Sequence, residues 1–91
     1  MSRVITQNTR ENRFETTEDN VLSVLDYDLA DNVMTITHTG VPDAVGGRGI
    51  AADLTRFALD TARANGWAVR PQCTYAQAYI RRHPDYADLV R

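Results

Sequence analysis

A chain of 91 residues is expected to form one domain with one modest core, which leaves little surplus for a second lobe or a deep enclosed pocket, so an open cleft is the expected substrate site. Hydrophobic residues at 43% and charged residues at 24% give an ordinary globular balance, and a net charge of -2 supplies no basic field for nucleic acid or anionic lipid. All ten cations are arginine, so a lysine Schiff base and a lysine-bearing phosphate loop are both excluded.

In chain order, residues 1–11 are polar and are expected either to be flexible or to add an edge strand. Asn12 to Thr16 predicts a short strand and Glu18-Asp19-Asn20 a turn. The β-branched and aromatic content of Val21 to Leu29 predicts a second strand, with Val21, Ser23, Leu25, Tyr27 and Leu29 on one face. Asp31-Asn32 reads as a tight turn into Val33–Val41, where alternation puts Thr35, Thr37, Thr39 and Val41 on one face and Met34, Ile36 and His38 on the other. Pro42 ends that strand, and a loop runs to Gly49.

Ile50, Leu54, Phe57, Ala58 and Thr61 then recur at helical spacing, predicting a helix to Asn65 that stops at Gly66. Trp67 to Cys73 reads as a strand, Thr74 as the cap of a second helix over Tyr75–Arg82, and Asp85 to Val90 as a last turn or two. Strand, helix, strand is a βαβ unit, so strands 33–41 and 67–73 should be parallel with a right-handed crossover. The earlier strands, joined by short turns, should be antiparallel. The expected fold is α+β: a mixed sheet, mostly antiparallel with one parallel βαβ crossover, and two main helices.

The single cysteine, Cys73, cannot form an internal disulfide, and the start of the chain lacks the apolar run of a signal peptide. No stretch reaches the roughly 18 apolar residues of a membrane span. A cytoplasmic protein is expected, without nucleic-acid or membrane partners. Two histidines and one cysteine lie far apart, without zinc-site spacing, so no metal is expected.

Three glycines within Gly46-Gly47-Arg48-Gly49 precede the first helix. Glycine permits positive φ and close ligand approach, and the unpaired amides of a helix start suit a phosphate or pyrophosphate. A plain corner would use the same residues. Gly47-Arg48-Gly49-Ile50-Ala51-Ala52 fits the dinucleotide fingerprint, but a loop with Pro42 and Asp43 separates it from its strand. Ala68 to Cys73 also lacks the expected carboxylate, and the chain is too short for a doubly wound sheet, so a dinucleotide fold is rejected.

Val41-Pro42 followed by Gly47-Arg48-Gly49-Ile50-Ala51 and a helix with Leu54, Ala58 and Ala62 resembles the acetyl-CoA loop of the GNAT acyltransferase superfamily. His38-Thr39-Gly40-Val41-Pro42, Pro71-Gln72-Cys73-Thr74-Tyr75 and Tyr79-Ile80-Arg81-Arg82-His83-Pro84-Asp85-Tyr86 look like its very short, single-domain branch. The likeness covers about Arg13 to Leu89 and implies one minimal acyl-CoA-binding domain over residues 1–91.

By this resemblance, Gly46, Gly47, Arg48, Gly49, Ile50 and Ala51 hold the pyrophosphate of acetyl-CoA or coenzyme A. The strand edge at Thr39 and Val41 takes the pantetheine arm, in a gap where two parallel strands part. The family's Gln or Arg at the loop's first place is Gly46 here, so one polar contact is missing. Its tyrosine acid falls one place early, at Tyr79, about 100° around the helix from the usual position. The resemblance implies an acetyl-CoA-dependent N-acyltransferase with a small-molecule or protein amine as acceptor; a non-catalytic acyl-CoA-binding module is the alternative.

Cys73 is the candidate nucleophile: beside the thioester it would accept the acyl group and pass it on, or it would only line the acyl pocket. A helix start after it would lower the thiol pKa, although a small buried hydrophobe is the plainer role. His38 is a candidate general base if its face opens on the cleft, and a core histidine otherwise. Tyr79 is a candidate proton donor or a packing residue, and His83 reads as a cap of the second helix. Asp26 and Asp28 share one strand face, either solvated or attracting a cationic amine. The oligomeric state is not legible.

Overall fold

Two turns with paired left-handed residues set the sheet. Asp19 and Asn20 have φ of 51° and 62°, and Asp31 and Asn32 have 53° and 62°, as two-residue hairpins of matching twist require. Asp and Asn tolerate this region because their short polar side chains bond locally. The computed structural model describes residues 3–91. Strands β1 (Thr6–Asn8), β2 (Arg13–Glu18), β3 (Val21–Ala30) and β4 (Val33–Gly40) form an antiparallel meander, and β5 (Ala68–Pro71) adds to β4 in parallel. The sheet order is therefore the chain order. Of residues 1–11, Thr6–Asn8 takes the edge-strand alternative; Met1 and Ser2 lie outside the described residues.

Helix α1 (Ile50–Asn65) forms the crossover between β4 and β5. It ends as its sequence requires. Gly66 has φ 71°, its amide donates to Arg63 and the amide of Trp67 reaches back to Ala62 at 2.9 Å. Helix α2 (Thr74–Arg82) starts one residue earlier than expected: Cys73, not Thr74, is its N-cap. A 3₁₀ turn over Pro84–Leu89 follows. Arg63 on α1 clasps it, donating to Asp88 at 2.9 and 3.0 Å and to the Asp85 carbonyl at 2.7 Å. The Arg91 amide then bonds the Val69 carbonyl, adding the last residues to the outer edge of β5.

One core joins the sheet to the helices. Phe14, Leu25, Met34, Ile36 and Val69 from the strands meet Ile50, Leu54, Ala58 and Leu59 of α1 and Ala76 of α2, all buried. Phe57, expected among the apolar positions, stays 39% exposed but packs edge-on against Phe14 at 5.6 Å. The fifth strand is shorter than the predicted 67–73: it ends at Pro71, after which the amides of Gln72 and Cys73 both turn to the Ile36 carbonyl.

A β-bulge corrects the expected faces of β4. Asp26 pairs with His38 but Tyr27 pairs with Ile36, leaving Thr37 as the extra residue. Beyond it the alternation is reversed. Thr39, opposite the buried Leu25, joins the core face, while His38 turns to the other face and is exposed. The reading of His38 as a core neighbour of Met34 and Ile36 is overturned by this single insertion.

Candidate functional site

Strands β4 and β5 pair only from Val33↔Ala68 to Ile36↔Pro71. At that point the Ile36 carbonyl accepts from two successive amides, those of Gln72 at 3.0 Å and Cys73 at 3.1 Å. One acceptor thus ends the parallel ladder and turns the chain toward α2. Beyond this point β4 runs on to Gly40 with no strand on its β5 side among the described residues, and the two strands form a fork.

Thr39 and Cys73 face each other across the fork, with Oγ1 and Sγ 3.5 Å apart. Burial pushes the Cys73 thiol up, but the Thr39 hydroxyl and the backbone amides of Ala76, Tyr75 and Thr39 outweigh it and leave the thiol below its ordinary value. Those helix-start amides are aimed at the sulfur without closing a full cap hydrogen bond on it. The side chain is half-buried, so the sulfur is both favoured as thiolate and open to a reactant.

The glycine segment lies at the start of α1. After Val41, a 3₁₀ turn over Asp43–Val45 pins the loop to the core through the fully buried Val45. Gly47 and Gly49 have φ of 77° and 80°, where an L side chain would cost about 1–2 kcal/mol. The space beside both is open for at least 4 Å where a Cβ would stand. Gly49 is the N-cap of α1 and has no side chain to satisfy the first amides, so those of Ile50 and Ala51 remain available to an anion. Gly46 is extended backbone and needs no glycine for its φ of -68°.

The exposed Arg48 side chain pairs with carboxylates in this structure. Its guanidinium folds back on the β2–β3 turn, 2.9 Å from Asp19 and 3.4 Å from Glu18. The hydrogen bond to Asp19 raises its pKa further. Tyr79 is buried between the helices, its ring stacked on His83 at 4.0 Å with Tyr86 at 6.3 Å. Burial raises its pKa, which keeps the hydroxyl protonated. His83 caps α2 as expected, its amide bonded to the carbonyls of Tyr79 and Ile80.

The structure therefore brings Thr39 and Cys73 together and sets the glycine segment at the helix start. His38 stands on the opposite face of β4 from Thr39, and Tyr79 packs against the C-terminal turn. Sequence reasoning missed the side-chain partnership of Thr39 with Cys73, because it depends on the bulge at Thr37. It also missed Arg3, which contacts the glycine segment from a polar stretch with no periodic signal.

Among the described residues, no three His, Cys, Asp or Glu side chains form a metal-holding group. No helix there is long and apolar enough to cross a membrane.

A profile of the GCN5-related N-acetyl-transferase family matches residues 13–89, taking in the whole fork and the glycine segment. The chain belongs to this family. The solution structure of a GCN5-like candidate N-acetyltransferase from Staphylococcus aureus superposes with a TM-score of 0.76 at 32% identity, covering 100% of this chain and 91% of that one. Protein NATD1 from chicken and from mouse is 33% identical over 66 residues, covering 72% of this chain and 59% of the relative. The chain thus matches less than two thirds of the length of these relatives. The mixed five-stranded sheet with one parallel pair and two main helices is the fold of the family member from Staphylococcus.

Proposed function

We propose that this GCN5-related chain is an acetyl-CoA-dependent N-acyltransferase whose reacting centre is the fork at Thr39 and Cys73. The observation that carries the reading is the combination of a parted parallel strand pair with a helix start stripped of side-chain caps at Gly49. The residues fit the cofactor. The open space beside Gly47 and Gly49, with the free amides of Ile50 and Ala51, suits a pyrophosphate, and the edge at Thr39 of β4 and at Val41 just beyond it suits an amide-bearing arm. Acetyl-CoA supplies a thioester-activated acetyl group.

The chain's own part is to orient and to supply a nucleophile. With its pKa lowered, Cys73 holds a larger thiolate fraction near neutral pH than a free cysteine. In the covalent route the Cys73 thiolate would take the acetyl group with release of the CoA thiolate, and would be restored as thiolate when an amine takes that group. The amine's surplus proton passes to solvent. In the direct route Cys73 only lines the acyl pocket. The exposed His38 and the protonated Tyr79 are the remaining candidates for base and acid. The acceptor is a small-molecule or protein amine, and a cytoplasmic setting, where a lone thiol stays reduced, suits the reading.

The test is a titration with CoA and acetyl-CoA followed by backbone amide shifts. Movement across Val41 to Ala51 is expected; unmoved amides at millimolar cofactor would overturn the proposal. Incubation with labelled acetyl-CoA then divides the routes. Label on Cys73, passed on to an amine, supports the covalent route, whereas full transfer by Cys73→Ala rules it out. A second reading, CoA binding without efficient transfer, is favoured by the packing of Tyr79 against His83 and Tyr86. Amide movement without label transfer across a panel of amines would select it.

A further inference from the structure

Arg3 reaches the cofactor segment from outside it. Its side chain is 16% exposed, and each of its three guanidinium nitrogens has a partner. Nε lies 2.8 Å from Glu18 at the end of β2, Nη1 lies 2.5 Å from Asp53 in the first turn of α1, and Nη2 donates to the Arg48 carbonyl at 3.0 Å. One planar group therefore ties the N-terminal stretch, the second strand and the helix start to the peptide that precedes Gly49.

Two physical consequences follow. Arg48 lies between two glycines with positive φ, and such residues have broad backbone freedom. A trans peptide is planar, with its carbonyl and the next amide pointing in opposite directions, so fixing the Arg48 oxygen also fixes the direction of the Gly49 amide. The second consequence is electrostatic. Glu18 and Asp53 stand beside a helix start that would otherwise attract an anion, and their charges oppose one. Arg3 pairs with both and offsets one of their two negative charges, while Arg48 is occupied by Asp19 and Glu18.

We infer that Arg3 is a positioning residue of the anion-binding segment, holding the Arg48–Gly49 peptide in place and screening Glu18 and Asp53 from a bound pyrophosphate. This rests on the acyl-CoA reading above for the identity of the anion, but not for the pinning of the peptide. Arg3 touches no reacting atom in this role; it acts through the backbone it holds.

The experiment compares wild type, Arg3→Ala and Arg3→Lys by amide hydrogen exchange without ligand, and by calorimetric titration with CoA and with pantetheine, which lacks the phosphates. The Asp53 amide bonds the Gly49 carbonyl at 3.1 Å and reports on the pinned segment, with mid-helix amides of Leu59 and Ala62 as the control. In Arg3→Ala the Asp53 amide should exchange faster while the control amides do not change. CoA should bind weaker by about tenfold or more, the value of one charge-assisted contact, with pantetheine unaffected. Arg3→Lys keeps the charge without the fork and should recover part of the CoA affinity.

Unchanged exchange at Asp53 would overturn the pinning. Equal losses for CoA and pantetheine, or parallel acceleration at the control amides, would show general destabilisation and overturn the positioning role. If wild type binds no CoA, the acyltransferase reading fails, and the exchange measurement still decides whether Arg3 holds the segment.

Discussion

At the scale of single residues, the sulfur of Cys73 is shaped by its neighbours more than by its burial. The Thr39 hydroxyl stands 3.5 Å from it and favours the thiolate. Thr39→Val keeps the volume and removes that hydroxyl, so the thiol pKa should rise and alkylation at neutral pH should slow. The rate of iodoacetamide modification followed against pH checks this; an unshifted midpoint would mean that the helix-start amides alone set the thiol. The same pair shows where sequence reading stops. Cys73 and Thr39 were each legible as candidates from their motifs, one at a strand end and one on a strand edge. Their meeting was not, because strict alternation puts Thr39 with Thr35 and Thr37. Only the extra residue at Thr37 brings it to the core face. The three contacts of Arg3 were likewise invisible, since they join residues 15, 45 and 50 positions apart with no shared pattern.

Among elements, the junction of α1 with the C-terminal 3₁₀ turn carries a pH dependence of its own. Burial and the hydrogen bond it donates to Asp60 at 2.6 Å push the Tyr86 hydroxyl up to about 12, from an ordinary 10.0. The folded state thus holds this proton more tightly than the unfolded chain. The stabilisation it brings is fully present below about pH 10 and is lost as pH rises toward about 12. Urea midpoints of wild type and Tyr86→Phe should therefore differ at neutral pH and converge above that window. A constant difference would place the effect in packing instead. The elements themselves were largely readable. The hairpins followed from Asp19-Asn20 and Asp31-Asn32, and α1 from its apolar spacing and the Asn65-Gly66 stop, because these signals are local. The end of β5 and the start of α2 shifted, because the Ile36 carbonyl draws in two amides and makes Cys73 the cap. No local signal encodes that.

Across the whole molecule, four strands are neighbours in both sequence and space, while β5 is reached only after the loop and α1 have been laid down. Closing so long a connection costs chain entropy before its contacts return anything, so the β4–β5 pairing should form after the meander. Val69→Ala in β5 should therefore act mainly by speeding unfolding, and Leu25→Ala in β3 mainly by slowing folding. Stopped-flow traces across a denaturant series test this; a slower folding arm for Val69→Ala would reverse the order. The fork between β4 and β5 then takes on a kinetic meaning. It lies at the seam that closes last on folding and should part first on unfolding. A molecule seated there would bridge the seam, leaving the speed of folding unchanged while acting as a brake on the chain's coming apart.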